Sequence, residues 1–106
     1  MTCEVRYFFD PGSGVCLWAK NETAKVKFGY PIDHWALPLS ENAKRWLQYL
    51  ITWFDTSIDW SAPSDTDDYW SEEELQRFKH AAKKGLKLLR EELSSSEYVF
   101  FDETNT

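Results

Sequence analysis

Ser40-Glu41-Asn42-Ala43-Lys44-Arg45-Trp46-Leu47-Gln48-Tyr49-Leu50-Ile51-Thr52-Trp53-Phe54 is the stretch from which the fold can be read. Ser40 has the hydroxyl that caps a helix N-terminus. Behind it Ala43, Trp46, Leu47, Leu50, Ile51 and Phe54 recur at the i, i+3, i+4, i+7 spacing of a buried helix face. A core helix is therefore expected here. Immediately after it the composition changes. Residues 55–74 hold eight carboxylates (Asp55, Asp59, Asp65, Asp67, Asp68, Glu72, Glu73, Glu74) together with Trp60, Tyr69 and Trp70, and no lysine or arginine.

Downstream, Ser71-Glu72-Glu73-Glu74 has the form of a capping box, in which the Glu74 side chain would reach back to the Ser71 amide. Leu75, Phe78, Ala82, Leu86, Leu89 and Leu93 then trace one face of a second long helix. Its acids lie first, and Lys79, Lys83, Lys84, Lys87 and Arg90 follow, the order that the helix dipole favours. Gly85 stands inside this helix at a cost of up to about 1 kcal/mol relative to alanine, so it is expected to mark the close approach of another element.

Upstream, Val5, Tyr7 and Phe9 alternate with Glu4, Arg6 and Phe8, and Val15 to Ala19 is a second β-prone run. Asp10-Pro11-Gly12-Ser13-Gly14 between them predicts a hairpin with a loop of about four or five residues. Its glycines match no nucleotide-binding fingerprint, because no Lys-Ser/Thr follows and the loop opens a strand. Asn21 to Phe28 predicts two turns of helix stopped by Gly29. Tyr30 to Leu39, punctuated by Pro31 and Pro38, reads as irregular, with His34 as a surface or hydrogen-bonded loop histidine. Tyr98 to Phe101 resumes strand character. The expected fold is one α+β domain over residues 1–106: an antiparallel sheet of two or three strands, from the hairpin and the C-terminal strand, packed on two long helices.

With 106 residues and 42% apolar residues, the chain can build its own core without a metal or disulfide. Cys3 and Cys16 fall on segments read as paired strands, where a disulfide is geometrically conceivable, and a reducing compartment favours free buried thiols. No charged leader with an apolar core opens the sequence and no apolar run reaches the roughly 20 residues of a membrane span, so a cytoplasmic protein is expected. The net charge of −6 is local, because the eight acids of residues 55–74 leave the rest of the chain at +2. Direct nucleic-acid binding, which needs a cationic surface, is therefore not expected.

No catalytic constellation emerges, and the protein is not expected to be an enzyme. The clustered carboxylates share a polar stretch in which they ionise together rather than splitting into acid and base. No serine or cysteine has the setting of an activated nucleophile. Asp65-Thr66-Asp67-Asp68 begins like a calcium loop, but Trp70 occupies the glycine position and Gln76 the bidentate glutamate position. No cofactor or metal is expected. A small enzyme would require a carboxylate or cysteine within reach of His34.

What remains is recognition. Asp55, Asp59, Trp60, Asp65, Asp67, Asp68, Tyr69, Trp70, Glu72 and Glu73 form a candidate partner-binding surface, with aromatic anchors among like charges suited to a basic protein. A non-catalytic regulatory module or complex subunit would use the same surface. Leu37-Pro38-Leu39-Ser40-Glu41-Asn42-Ala43-Lys44 and Trp53-Phe54-Asp55-Thr56-Ser57-Ile58-Asp59-Trp60, behind an amino-terminal hairpin, resemble the small immunity proteins of contact-dependent growth inhibition and other polymorphic toxin systems. The two amphipathic helices and aromatic strands supply core enough for a stable monomer or weak dimer when free, and the resemblance implies a cytosolic antitoxin. It would bind and neutralise one cognate toxin, often a nuclease with a basic substrate cleft.

Overall fold

In the computed structural model, which describes residues 2–57 and 70–104, three helices and four strands follow the order β1 (Cys3–Tyr7), β2 (Leu17–Ala19), α1 (Glu22–Phe28), β3 (Pro31–Ile32), α2 (Glu41–Asp55), α3 (Glu72–Glu92) and β4 (Tyr98–Asp102). A short 3-10 turn, His34–Ala36, leads from β3 towards α2. The fold is α+β, as expected, but the sheet is mixed and four-stranded, in the order β3-β2-β1-β4.

Two corrections to the expected sheet have physical causes. β4 lies beside β1 but runs parallel to it, with Cys3 opposite Tyr98 and Tyr7 opposite Asp102. Parallel neighbours need a long crossover, and the 21-residue α3, spanning about 30 Å, carries the chain back to the end at which β1 begins. The fourth strand is Pro31–Ile32, antiparallel to β2, where an irregular segment is expected. An edge strand tolerates proline, which cannot donate to a ladder, and two residues leave no alternation to read. The hairpin also turns more widely than expected. Its pairing begins at Tyr7 opposite Leu17, and the Phe8 N–H still bonds the Cys16 carbonyl at 3.1 Å.

The core lies between the sheet and the α2/α3 pair. β1 buries Cys3, Val5 and Tyr7, and β4 buries Tyr98 and Phe100, the alternation of a sheet with one face covered. α2 contributes Ala43, Leu47, Leu50 and Ile51, while α3 contributes Phe78, Ala82, Gly85, Leu86 and Leu89. Each fully buried leucine contributes about 2 kcal/mol by removing apolar surface from water. Both cysteines are free and buried, and apolar burial pushes the Cys16 thiol pKa well up.

At Gly85 a strand side chain comes close against α3. A methyl group there would sit 2.7 Å from the Tyr7 hydroxyl and 2.9 Å from Leu50 Cδ1. That hydroxyl donates to the Ala82 carbonyl at 2.7 Å, so the missing side chain lets a buried tyrosine dock on the helix backbone. The opposite ends of the helix pair are tied too. Ser40 Oγ accepts the Ala43 N–H at 3.1 Å as the α2 cap. Its own N–H and hydroxyl donate to Glu92, at the end of α3, at 2.6 and 2.7 Å.

His34 departs from expectation. It is only 2% exposed, and neither ring nitrogen has a hydrogen-bond partner. Burial lowers its pKa; Asp33 opposes that shift and Lys44 adds to it.

Candidate functional site

The acidic end of the helix pair is built by the close of α2 and the start of α3. At the first, Thr56 caps α2: its N–H bonds the Trp53 and Phe54 carbonyls, and its hydroxyl donates to the Trp53 carbonyl at 2.7 Å. At the second, Ser71 Oγ accepts the Glu74 N–H at 3.1 Å. The Trp70 indole joins the two ends by donating its Nε1–H to Thr56 Oγ1 at 2.7 Å. Only half of the expected capping box forms. The Glu74 carboxylate turns away from Ser71 and accepts the Trp53 Nε1–H at 3.1 Å, a second link between the helices.

Of the ten residues proposed from sequence, the structure places four. Glu72 and Glu73 are exposed on the first turn of α3, where their charges complement the positive helix end. Glu72 also accepts the Gln76 amide at 3.1 Å, one turn on. Asp55 is half-buried, and its Oδ1 accepts the Gly12 N–H at 2.9 Å, which ties the hairpin turn to the end of α2. Trp70 is 8% exposed. Its ring lies 5.1 Å from Phe78 and about 6 Å from Phe54 and Trp53, centroid to centroid, so it is a core aromatic rather than a free anchor. Asp59, Trp60, Asp65, Asp67, Asp68 and Tyr69 lie outside the described residues.

Beside these carboxylates, a cleft of about 180 Å³ opens between the hairpin turn and the helix ends. Pro11, Phe54, Trp70 and Leu75 make its apolar wall, and Ser71 and Glu72 stand on its polar rim. Pro11, Phe54 and Leu75 are site residues that sequence reasoning missed. Each reads locally as a turn or core position, and only the fold brings the turn against both helices. An apolar wall with a carboxylate at its lip can receive a side chain with an apolar stem and a cationic head, such as lysine or arginine.

Among the described residues, no group of three or more His, Cys, Asp or Glu side chains is placed to hold a metal ion. The shifted protic groups lie elsewhere. Burial raises the Tyr7 pKa well above the usual phenol range, and its hydroxyl is already committed to Ala82. Arg6 and Glu103 form a bidentate pair, with hydrogen bonds of 2.7 to 3.0 Å, across the edge of the sheet. The hydrogen bond from Arg6 holds the Glu103 carboxyl below its ordinary range. No described helix is long and apolar enough to cross a membrane.

Comparison with known proteins gives one family. The family described as Serratia CdiI immunity protein-like matches residues 4–104. No curated protein matches the chain.

Proposed function

Because the chain belongs to the Serratia CdiI immunity protein-like family, we propose that it binds one cognate toxin domain and neutralises it through the acidic end of its helix pair. The match over nearly the whole chain carries the antitoxin role. The charge distribution supports the choice of surface: residues 55–74 concentrate eight carboxylates without a base, while the rest of the chain sums to +2.

On this reading the toxin presents a basic surface, as a nuclease does around its substrate phosphates. Glu72 and Glu73 project from the α3 N-terminus, and Asp59, Asp65, Asp67 and Asp68 are four further carboxylates in the same stretch of sequence. Such charges steer the encounter and speed association more than they hold the complex. Retention would come from apolar contacts: the cleft walled by Phe54, Trp70 and Leu75, with Trp60 and Tyr69 as further anchors. Asp55 acts by fixing the hairpin turn beside the cleft. The protein works as a non-catalytic inhibitor in the cytoplasm, without cofactor or direct nucleic-acid contact, and is a monomer or weak dimer before it meets the toxin.

The test is protection. On this reading a cognate toxin domain is expected in the gene directly upstream, and that domain is induced in a bacterial host with and without the chain. Growth is expected to resume only when the chain is present, and a toxin domain from an unrelated system should still arrest it. Continued arrest by the adjacent toxin, with the chain folded and in molar excess, would overturn the proposal.

A further inference from the structure

Away from the acidic end, α2 and α3 leave a groove that the reading above does not use. Trp46 and Leu88, both half-buried, and Tyr49, 54% exposed, form its apolar lining, with Arg45 and Lys84 along its edges. The Lys84 ammonium lies 4.7 Å from the Trp46 ring centroid, a cation over an aromatic face. Trp46 itself is fixed, because its Nε1–H donates to the Ala81 carbonyl at 3.2 Å. Lys84 and Leu88 continue into the adjoining surface of Lys83 and Lys87. Arg45 pairs with Glu41 at 3.6 Å and Lys87 with Glu91 at 3.8 Å, leaving the patch with four cations against two carboxylates in a protein of net charge −6.

A row of rings joins this groove to the acidic end. Trp46 and Tyr49 have centroids 5.7 Å apart, as do Tyr49 and Trp53, and Trp53 and Trp70 follow at 6.0 Å. The row starts under Lys84, passes Trp53 with its bond to Glu74, and ends at Trp70. Along α3 the two poles, Glu73 and Lys84, are separated by about 16 Å at ~1.5 Å rise per residue.

We propose that this groove is the second half of the toxin-binding face, and that it receives a carboxylate-bearing segment of the same toxin domain whose basic surface meets the acidic end. The inference rests on the toxin-binding reading and adds the partner's second charge: a basic and an acidic patch about 16 Å apart, bridged by an apolar strip. A protein segment fits better than a nucleic acid. Two of the four cations are already compensated, so few counterions would be released by phosphate binding, and the net charge repels a polyanion at long range. Tryptophan, tyrosine and arginine are the side chains that concentrate in protein interfaces.

Isothermal titration of the adjacent toxin domain at low salt tests the inference with two variants of the groove and its basic flank, Tyr49→Ala and Lys83→Glu/Lys87→Glu, and one of the acidic end, Glu72→Gln/Glu73→Gln. The altered side chains are exposed, and circular dichroism verifies folding. Each groove variant is expected to weaken binding about tenfold or more, and the acidic variant to weaken it independently. Unchanged affinity of both groove variants, with loss in the acidic one, overturns the second half and leaves the first. Loss in the groove variants alone supports the groove and overturns the acidic end. Failure of the wild-type chain to bind overturns both. Binding of a 20-nucleotide single-stranded RNA that disappears with Lys83→Glu/Lys87→Glu would show a nucleic-acid surface and overturn the protein partner.

Discussion

Gly85→Ala is expected to destabilise the protein, although the same change in an ordinary helix interior stabilises it by up to about 1 kcal/mol. The added methyl would lie 2.7 Å from the Tyr7 hydroxyl and 2.9 Å from Leu50 Cδ1, and both of these side chains are fully buried. Relief requires α3 to lift from the sheet or Tyr7 to withdraw. Overpacking of this kind costs about 1 to 3 kcal/mol. Withdrawal also breaks the 2.7 Å bond to the Ala82 carbonyl, and an unsatisfied buried hydroxyl adds about 1 to 3 kcal/mol. Set against the gain in helix propensity, the net loss is about 2 kcal/mol, or a fall in Tm of about 8 to 16 °C for a domain of this size. Urea denaturation of Gly85→Ala, Tyr7→Phe and the double variant measures it. The double variant lacks the clashing oxygen, so the alanine should cost about 1 kcal/mol less there than in the wild-type background. If Gly85→Ala raises stability, or if the two changes are additive, the close docking of Tyr7 on α3 is refuted.

Leu50→Ala removes a fully buried member of the α2 stripe and should cost about 2 to 5 kcal/mol in urea denaturation. Trp70→Ala should cost about 3 to 5 kcal/mol in the same assay, because the ring is packed among Phe54, Phe78 and Trp53; wild-type stability would return it to the surface. His34 makes stability depend on pH in a defined direction. Its folded pKa is lowered, so its neutral form is fully favourable above the unfolded value of about 6.5, and stability is lost as pH falls below that value towards the folded pKa, by at most about 1.4 kcal/mol per pH unit. Thermal melts from pH 7.5 to 5.5 should show a steeper fall for the wild type than for His34→Gln, and equal slopes would contradict the burial.

The helices were legible because their information is local. The Ala43 to Ile51 stripe and the Phe78 to Leu93 stripe each repeat with the period of the structure they form, and Ser40 and Ser71 announce the starts. Gly85 was legible as an exception to propensity. Strand direction was not, because Tyr98–Asp102 has the same composition whichever way it pairs, and its parallel alignment depends on where a 21-residue helix delivers the chain. The packing of Trp70 was hidden for a related reason. Its sequence neighbours are acids, but its neighbours in space are Phe54 and Phe78. His34 sits between prolines in a stretch that reads as surface, and only the seating of the 3-10 turn against α2 buries it. The acidic end was legible as charge, whereas the cleft beside it depends on Pro11 meeting both helices.

The central claim, that acidic steering brings this chain to a basic toxin, is tested most directly by the association rate constant at two ionic strengths. Surface plasmon resonance with the adjacent toxin domain compares the wild type with Asp65→Asn/Asp67→Asn/Asp68→Asn and with Glu72→Gln/Glu73→Gln. The account predicts wild-type association that slows markedly as salt rises from about 50 to 300 mM, with slower and less salt-sensitive association in both variants and little change in dissociation. Association rates that are the same for all three proteins at both ionic strengths would contradict it.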